Sequence, residues 1–306
     1  MSARLARPLL WLAFVLALVV IGASSSLRLA ADGVGCEPWP ACYGRAPAGK
    51  AVPPSPAERT VRLVHRIAAS AFALTVLVAV ALGWRRWSLP ARRAGVLLLG
   101  VTALLSVVGR FTPSGLPAVT LVNVIGGITL MGGTAYLLAS DAAGDAAAGP
   151  RARWLLYALT LLVALQAASG ATISVRAAGA ACERGCAAQW PAGGHRLWDP
   201  LQSGSANEIA PGSRAGETLH AVHRLLAIFV IVAAAAAAAA AALAAHGTQA
   251  WQRLLAALAA CVVSGLGLAV LDGALGPVVL HALAAGLLVA GIGAVMAVGP
   301  RGRETT

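Results

Sequence analysis

Charged residues are scarce in this sequence: they make up 11% of its 306 residues, whereas 59% are hydrophobic. The mean hydropathy of +0.79 also lies far outside the balance of a soluble globular domain. The shortage of charge therefore excludes an ordinary soluble fold. It predicts a protein that lies in the lipid bilayer.

Acidic residues are the rarer sign of charge, with 11 Asp and Glu against 23 Lys and Arg, which gives a formal net charge of +12. A basic chain invites a nucleic-acid partner, but the arginines are scattered between apolar segments and form no basic domain. We therefore expect no nucleic-acid partner. The sequence also lacks Cys and His sets at the spacing of a zinc site.

Long apolar runs make up most of the chain and predict an all-α integral membrane fold. A spanning helix needs ~20 apolar residues, and eight such runs lie at about 9–30, 62–84, 94–110, 118–139, 154–175, 218–245, 253–271 and 277–298. The first run follows Arg4 and Arg7 in the manner of a secretory signal peptide, but its length favours a retained helix. Ten consecutive alanines from position 233 suit the sixth helix, since alanine is the best helix former.

Four of the five cysteines lie in two long polar segments, at about 31–61 and 176–217. With an even number of spans, both segments fall on one face of the membrane and both termini on the other. Disulfides persist in oxidising compartments, so we expect these segments outside an inner (plasma) membrane and the termini in the cytoplasm. The expected bonds, with a metal site or free thiols as alternatives, are Cys36–Cys42 and Cys182–Cys186. Cys261, in the seventh run, is expected to be an inert packing residue.

The chain contains an internal repeat. Segment 61–68 aligns with 219–226 at an offset of 158 residues, and each contains a His-Arg pair. The same offset aligns Asn123 with His281. We therefore expect two pseudo-symmetric four-helix bundles related by an axis along the membrane normal, residues 1–150 and 151–306.

Three histidines lie within apolar runs: His65, His223 and His281. Ionisable side chains are costly in a membrane and usually serve a function there. Two neutral imidazoles on facing helices are the axial ligands that a six-coordinate haem iron requires, so His223 and His281 are predicted to hold haem. His220, one turn before His223, is an alternative ligand. A single intramembrane histidine can also merely form a hydrogen bond across helices.

An arginine directly follows two of these histidines. Haem carries two propionates, and arginine forms charge-assisted, often bidentate hydrogen bonds with carboxylates. We therefore expect Arg66 and Arg224 to bind propionates near the outer surface.

Motifs along the whole chain carry a family resemblance. They are DGVGCEPWPACYG at residues 32–44, His65-Arg66, LGVT at 99–102, Gly126-Gly127, VHRLL at 222–226 and Leu280-His281. In these motifs the chain resembles the haem A synthase family, membrane enzymes that convert haem O to haem A for cytochrome oxidases.

The resemblance implies a resident haem b in the second half, with His223 and His281 as its iron ligands, and a substrate site for haem O in the first half, with His65 as the ligand. It implies oxidation of one haem O methyl group to a formyl group by dioxygen, through successive hydroxylations. Cys36 and Cys42 would help to pass electrons. Haem O synthase is the expected partner.

Two positions depart from the family pattern. Asn123 stands where the family has a second histidine, and Arg62 stands where it has a glutamate three residues before His65. Glu58, two helical turns before His65, is the candidate replacement for that glutamate. Alongside His65, Asn123 and Glu58 are therefore the expected catalytic positions.

Two other functions compete with haem A synthesis. The departures from the family pattern favour a non-catalytic haem-binding membrane protein, either a b-type electron carrier or a haem-handling assembly factor. The repeat alone also suits a transporter. The scarcity of Gly and Pro breaks in the middle of the apolar runs argues against the transporter.

Overall fold

The structure, a computed structural model, describes residues 2–29, 55–111, 117–140, 150–176, 198–201, 214–243, 249–270 and 275–297. Within these ranges it is all-helical and contains eight helices and no strand. The helices are α1 Ser2–Leu29, α2 Pro56–Gly83, α3 Leu89–Phe111, α4 Pro117–Ser140, α5 Pro150–Val175, α6 Arg214–Leu243, α7 Gln249–Val270 and α8 Leu275–Ala297. Both predicted cysteine pairs, Cys36–Cys42 and Cys182–Cys186, lie outside the described residues.

Seven of the described helices are long and apolar enough to cross a membrane, and α7 contributes a shorter apolar segment, Trp251–Gly267. Their outward surfaces are apolar too. Leu74, Leu161 and Val263 are 63%, 62% and 68% exposed, which would be unfavourable in water and is favourable against lipid. The all-helical fold predicted from composition is therefore confirmed within the described residues, and seven of the eight predicted spans are long and apolar enough for a multi-pass membrane protein.

Local sequence signals fix where α2 begins. The Ser55 hydroxyl accepts a hydrogen bond from the Glu58 backbone N–H at 3.1 Å, and Pro56 occupies the first turn, where its missing N–H costs nothing. With this start, His65 is the tenth residue of α2, just as His223 is the tenth residue of α6.

The first helix belongs to the folded bundle. It contacts α2, α4 and α8, and buries Leu10, Ala13 and Ala17. The alanine run of α6 is likewise used for packing, since Ala234 and Ala237 are fully buried in a cluster with residues of α5. Small side chains let neighbouring membrane helices approach closely.

Buried apolar side chains form two clusters, one mainly from α1 to α4 and the other from α5 to α8. Helices α4 and α8 contact each other where these clusters meet. A side chain at Gly293 would overlap the backbone carbonyl of Gly132, so the two backbones touch here. Glycine permits this approach, as it does in other membrane helix pairs.

Candidate functional site

His223 on α6 and His281 on α8 face each other. Their ring centroids are 6.4 Å apart and their planes cross at 72°. Imidazole–metal bonds are ~2 Å long, so two imidazoles on opposite sides of one metal ion have ring centroids about 6 Å apart. The spacing of the two rings therefore fits two axial ligands of a single metal.

Helix α5 supplies the surroundings of His223. Ser169 Oγ lies 2.8 Å from His223 Nδ1, and Gln166 Nε2 lies 3.1 Å from His223 Nε2. The ring also lies against Gly170, where an added Cβ would come within 3.1 Å of His223 Cε1. One turn of α5 therefore fixes both the position of this ring and its hydrogen bonds.

Helix α7 contacts the His281 ring through a serine and a glycine, as α5 contacts the His223 ring. Ser264 Oγ and the backbone carbonyl oxygen of Cys261 each lie 3.2 Å from His281 Nδ1. An added Cβ at Gly265 would come within 3.2 Å of His281 Cε1. The Cys261 thiol was predicted to be inert, and the part of this residue that contacts His281 is its backbone carbonyl.

The donor set of this site suits a haem. Among the described residues there is no group of three or more His, Cys, Asp and Glu that could hold a bare metal ion, whereas a porphyrin iron needs only two axial ligands. The Gln166 Oε1 atom is buried beside His223 and has no hydrogen-bond partner in the described part of the chain. Burying an unpaired amide oxygen is costly, because this oxygen needs a hydrogen-bond donor.

The structure also distinguishes the two candidate ligands on α6. His223 is the residue whose ring meets the His281 ring, and His220 is half-buried one turn away. Arg224 follows His223 and is exposed, and Arg66 is exposed on α2. Both guanidinium groups are therefore accessible to an anionic ligand, and their binding of propionates stays a prediction.

The first half contains a different arrangement. His65 on α2 and Asn123 on α4 are both half-buried, and no hydrogen bond joins them within the described residues. Arg28, at the end of α1, and Arg66, which follows His65 on α2, place positive charge near His65. Sequence reasoning did not assign Arg28 to this site, although it lies in the last turn of α1.

Arg62, one of the two departures from the family pattern, pairs with Glu58, the candidate replacement for the family's glutamate. Glu58 Oε1 accepts hydrogen bonds from Arg62 Nε at 2.9 Å and from an Arg62 terminal nitrogen at 2.5 Å. The Arg62 side chain is 54% exposed and that of Glu58 is 21% exposed. The carboxylate proposed to replace the family's glutamate is therefore held by the residue that stands in the glutamate's place.

Sequence reasoning missed the polar residues that contact the two facing histidines, Gln166, Ser169 and Ser264. Each is a hydrogen-bonding side chain within an apolar helix, where polar groups usually have a partner. A second signal was also available, because both serines are directly followed by glycine.

Comparison with known families gives one result that covers nearly the whole chain. The family model described as cytochrome oxidase assembly protein, COX15-CtaA, matches residues 7–293, a range that includes His65, His223 and His281. No curated protein matches the chain. The chain therefore belongs to the COX15-CtaA family of cytochrome oxidase assembly proteins, the haem A synthase family that its motifs resemble.

Proposed function

We propose that this chain is a haem A synthase of the inner membrane. It oxidises one methyl group of haem O to a formyl group with dioxygen, and so supplies haem A for cytochrome oxidase biogenesis. The observation that carries the proposal is the facing pair His223 and His281, with ring centroids 6.4 Å apart, in a chain of the COX15-CtaA family.

The proposed architecture is two pseudo-symmetric halves, residues 1–150 and 151–306, with both termini in the cytoplasm. Equivalent helix positions support it. His65 and His223 are each the tenth residue of their helices, α2 and α6, and Asn123 and His281 are each the seventh residue of theirs, α4 and α8. A duplicated bundle predicts this correspondence.

In the second half, His223 and His281 would hold haem b, a group that supplies electron transfer when two protein ligands bind its iron. The hydroxyls of Ser169 and Ser264 contact the Nδ1 atoms of His223 and His281, respectively. Arg224 would bind a propionate through its exposed guanidinium.

In the first half, His65 would bind the substrate, haem O, with Arg66 as a propionate partner. Asn123 occupies the repeat position equivalent to that of His281. An amide is a poor ligand for haem iron, so this site offers one protein ligand rather than two.

Each of two hydroxylations of the methyl carbon consumes one dioxygen, two electrons and two protons and releases one water. Loss of a further water leaves the formyl group. The electrons would come from a reductant outside this chain, and Cys36 and Cys42 would help to pass them.

The test is to express the chain in cells that make haem O but have no haem A synthase of their own. Haem extraction and chromatography should show haem A with the wild-type chain and none with the His65→Ala variant. Unchanged haem A from His65→Ala would contradict the substrate-site assignment.

The second candidate is a non-catalytic haem-binding membrane protein, and the observation that favours it is Asn123. It predicts a low-spin haem spectrum that is lost in His223→Ala or His281→Ala, with no haem A from the wild-type chain. A purified wild-type protein without bound haem would contradict both candidates and favour the transporter.

A further inference from the structure

The two facing histidines are held by the same pair of residue types. His223 lies on Ser169-Gly170 of α5 and His281 lies on Ser264-Gly265 of α7. In each pair the serine hydroxyl meets Nδ1 of the ring, and the glycine leaves room for the ring's Cε1 edge. We call these dipeptides the two Ser-Gly cradles.

The hydrogen bonds of the cradles determine which ring nitrogen carries the proton. Ser169 Oγ donates to the backbone carbonyl of Gln166 at 2.8 Å. A hydroxyl has a single hydrogen, so Ser169 Oγ then accepts from Nδ1–H of His223. This leaves the lone pair on His223 Nε2, the nitrogen that lies 3.1 Å from Gln166 Nε2.

In the second cradle, two oxygen atoms indicate that Nδ1 of His281 also carries the hydrogen. Ser264 Oγ donates to the Cys261 carbonyl at 3.1 Å, and that carbonyl also lies 3.2 Å from His281 Nδ1. A carbonyl oxygen can only accept, so Nδ1 of His281 carries its hydrogen and Nε2 its lone pair. Both rings thus present the tautomer that binds a metal through Nε2.

The first half lacks both cradles. At the offset of 158 residues, Ser264-Gly265 aligns with Ser106-Val107, so the glycine is replaced by a branched side chain. The motif Gly-Ala-x-x-Ser-x-Arg occurs at 170–176 and again at 22–28, and this alignment places Ile21 opposite Ser169. His65 therefore has no counterpart of the Ser169 hydroxyl in the repeat.

We propose that Ser169-Gly170 and Ser264-Gly265 are positioning residues that make the second half a permanent haem site, by fixing the Nδ1–H tautomer and orientation of both iron ligands. The first half, without cradles, keeps a site that can release its haem, as a site for a haem substrate must. This inference rests on the proposed binding of haem b by His223 and His281.

The cradles have a measurable electronic consequence. A hydrogen bond accepted from Nδ1–H makes the imidazole a more basic ligand, which stabilises the oxidised iron and lowers its midpoint potential. Ser169→Ala removes the one acceptor that His223 Nδ1 has in the described structure. Ser264→Ala leaves the Cys261 carbonyl in place, so its effect should be smaller and of the same sign.

The experiment is a spectroelectrochemical titration of the purified full-length protein carrying haem b. We expect a positive shift of midpoint potential in Ser169→Ala, a smaller positive shift in Ser264→Ala, and near wild-type values in Ser169→Thr and Ser264→Thr, which keep the hydroxyl. Ser106→Ala is the matched control. Ser106 aligns with Ser264 in the repeat, and its Oγ donates to the Thr102 backbone carbonyl at 2.8 Å. This variant should cause no shift.

Haem retention gives an independent measurement. Loss of a hydrogen-bond partner of a ligating histidine typically weakens binding 10-fold to 100-fold, so Ser169→Ala should lose haem b to an excess of a haem-scavenging protein about 10-fold faster than Ser106→Ala. Gly170→Ala should also speed the loss, because its Cβ would push against the His223 ring.

The outcomes separate this inference from the function on which it rests. A wild-type protein with haem b whose potential and haem retention do not change in Ser169→Ala or Ser264→Ala would overturn the cradles alone. A wild-type protein that binds no haem b would overturn the proposed function as well. If Ser169→Ala fails to fold, Ser264→Ala alone decides, and the absence of a positive shift there overturns the inference.

Discussion

The side-chain amide nitrogen of Gln166 lies 3.1 Å from Nε2 of His223, the same nitrogen that an iron ion would take. The other end of this amide, Oε1, is buried and has no hydrogen-bond partner in the described structure. Gln166 and an iron ion would therefore compete for the same nitrogen of His223. Binding of iron would break the bond between Gln166 and His223, so this glutamine should oppose haem uptake.

Replacement of Gln166 by leucine should favour the haem-bound form. The variant removes the competing bond to His223 and the unpaired buried oxygen, and leucine has a similar size. We expect slower haem loss than in the wild type, measured by transfer to an excess of a scavenging protein. Gln252→Leu on the exposed surface of α7 is the control. Haem loss as fast as in His223→Ala would show instead that Gln166 supports the bound haem.

Replacement of Asn123 by histidine should complete a second pair of ligands. Asn123 is the seventh residue of α4, as His281 is of α8, so an imidazole at this position stands where the second half has its ligand. We expect the haem content of the purified protein to rise toward two per chain and the low-spin absorption to increase. Asn123→Gln, which supplies no imidazole, should leave both unchanged. A histidine variant that also leaves them unchanged would contradict the equivalence of the two halves.

The number and positions of the helices along the chain were largely predictable because most apolar runs are long enough to span a membrane. The runs predicted at 62–84 and 218–245 correspond to α2 and α6, which begin earlier, at Pro56 and Arg214. The difference has a physical cause at α2. Ser55 and Pro56 start the helix outside the apolar run, and hydropathy does not detect a polar first turn.

The ligand pair was predictable, whereas its surroundings were not. His223 and His281 stand out because an ionisable side chain is rare in an apolar run. Ser169 and Ser264 are common residues in membrane helices, and their role depends on which helix lies beside which. That pairing, α5 with α6 and α7 with α8, is a result of tertiary packing and has no local sequence signal.

Substitution of Gly293 by alanine should destabilise the contact between α4 and α8. Its Cβ would meet the backbone carbonyl of Gly132, which cannot move aside as a side chain can. Overpacking of this kind costs about 1–3 kcal/mol, so we expect a lower thermal unfolding midpoint in detergent. Gly109→Ala on α3 is the control, because nothing lies within 4 Å of an added Cβ there. A Gly293→Ala protein as stable as this control would contradict the close contact.

The ion pair of Glu58 and Arg62 gives a test of the carboxylate at the substrate site. An exposed pair one turn apart on a helix contributes only about 0.3–0.5 kcal/mol, so Glu58→Gln should leave the folded protein nearly as stable as the wild type. If Glu58 replaces the family's glutamate, the same variant should form less haem A from haem O, measured by extraction and chromatography. Arg59→Ala, an exposed change in the same turn, serves as the control.

The charge-swapped variant sharpens this prediction. Exchanging the two residues, Glu58→Arg with Arg62→Glu, keeps both charges and the four-residue spacing, and it moves the carboxylate to three residues before His65. We expect this variant to form at least as much haem A as the wild-type chain, because the carboxylate then occupies the family's position. Equal product from the wild type, Glu58→Gln and the swapped variant would exclude a carboxylate on this turn of α2 from the chemistry. The reaction would then depend on His65 without a neighbouring acid.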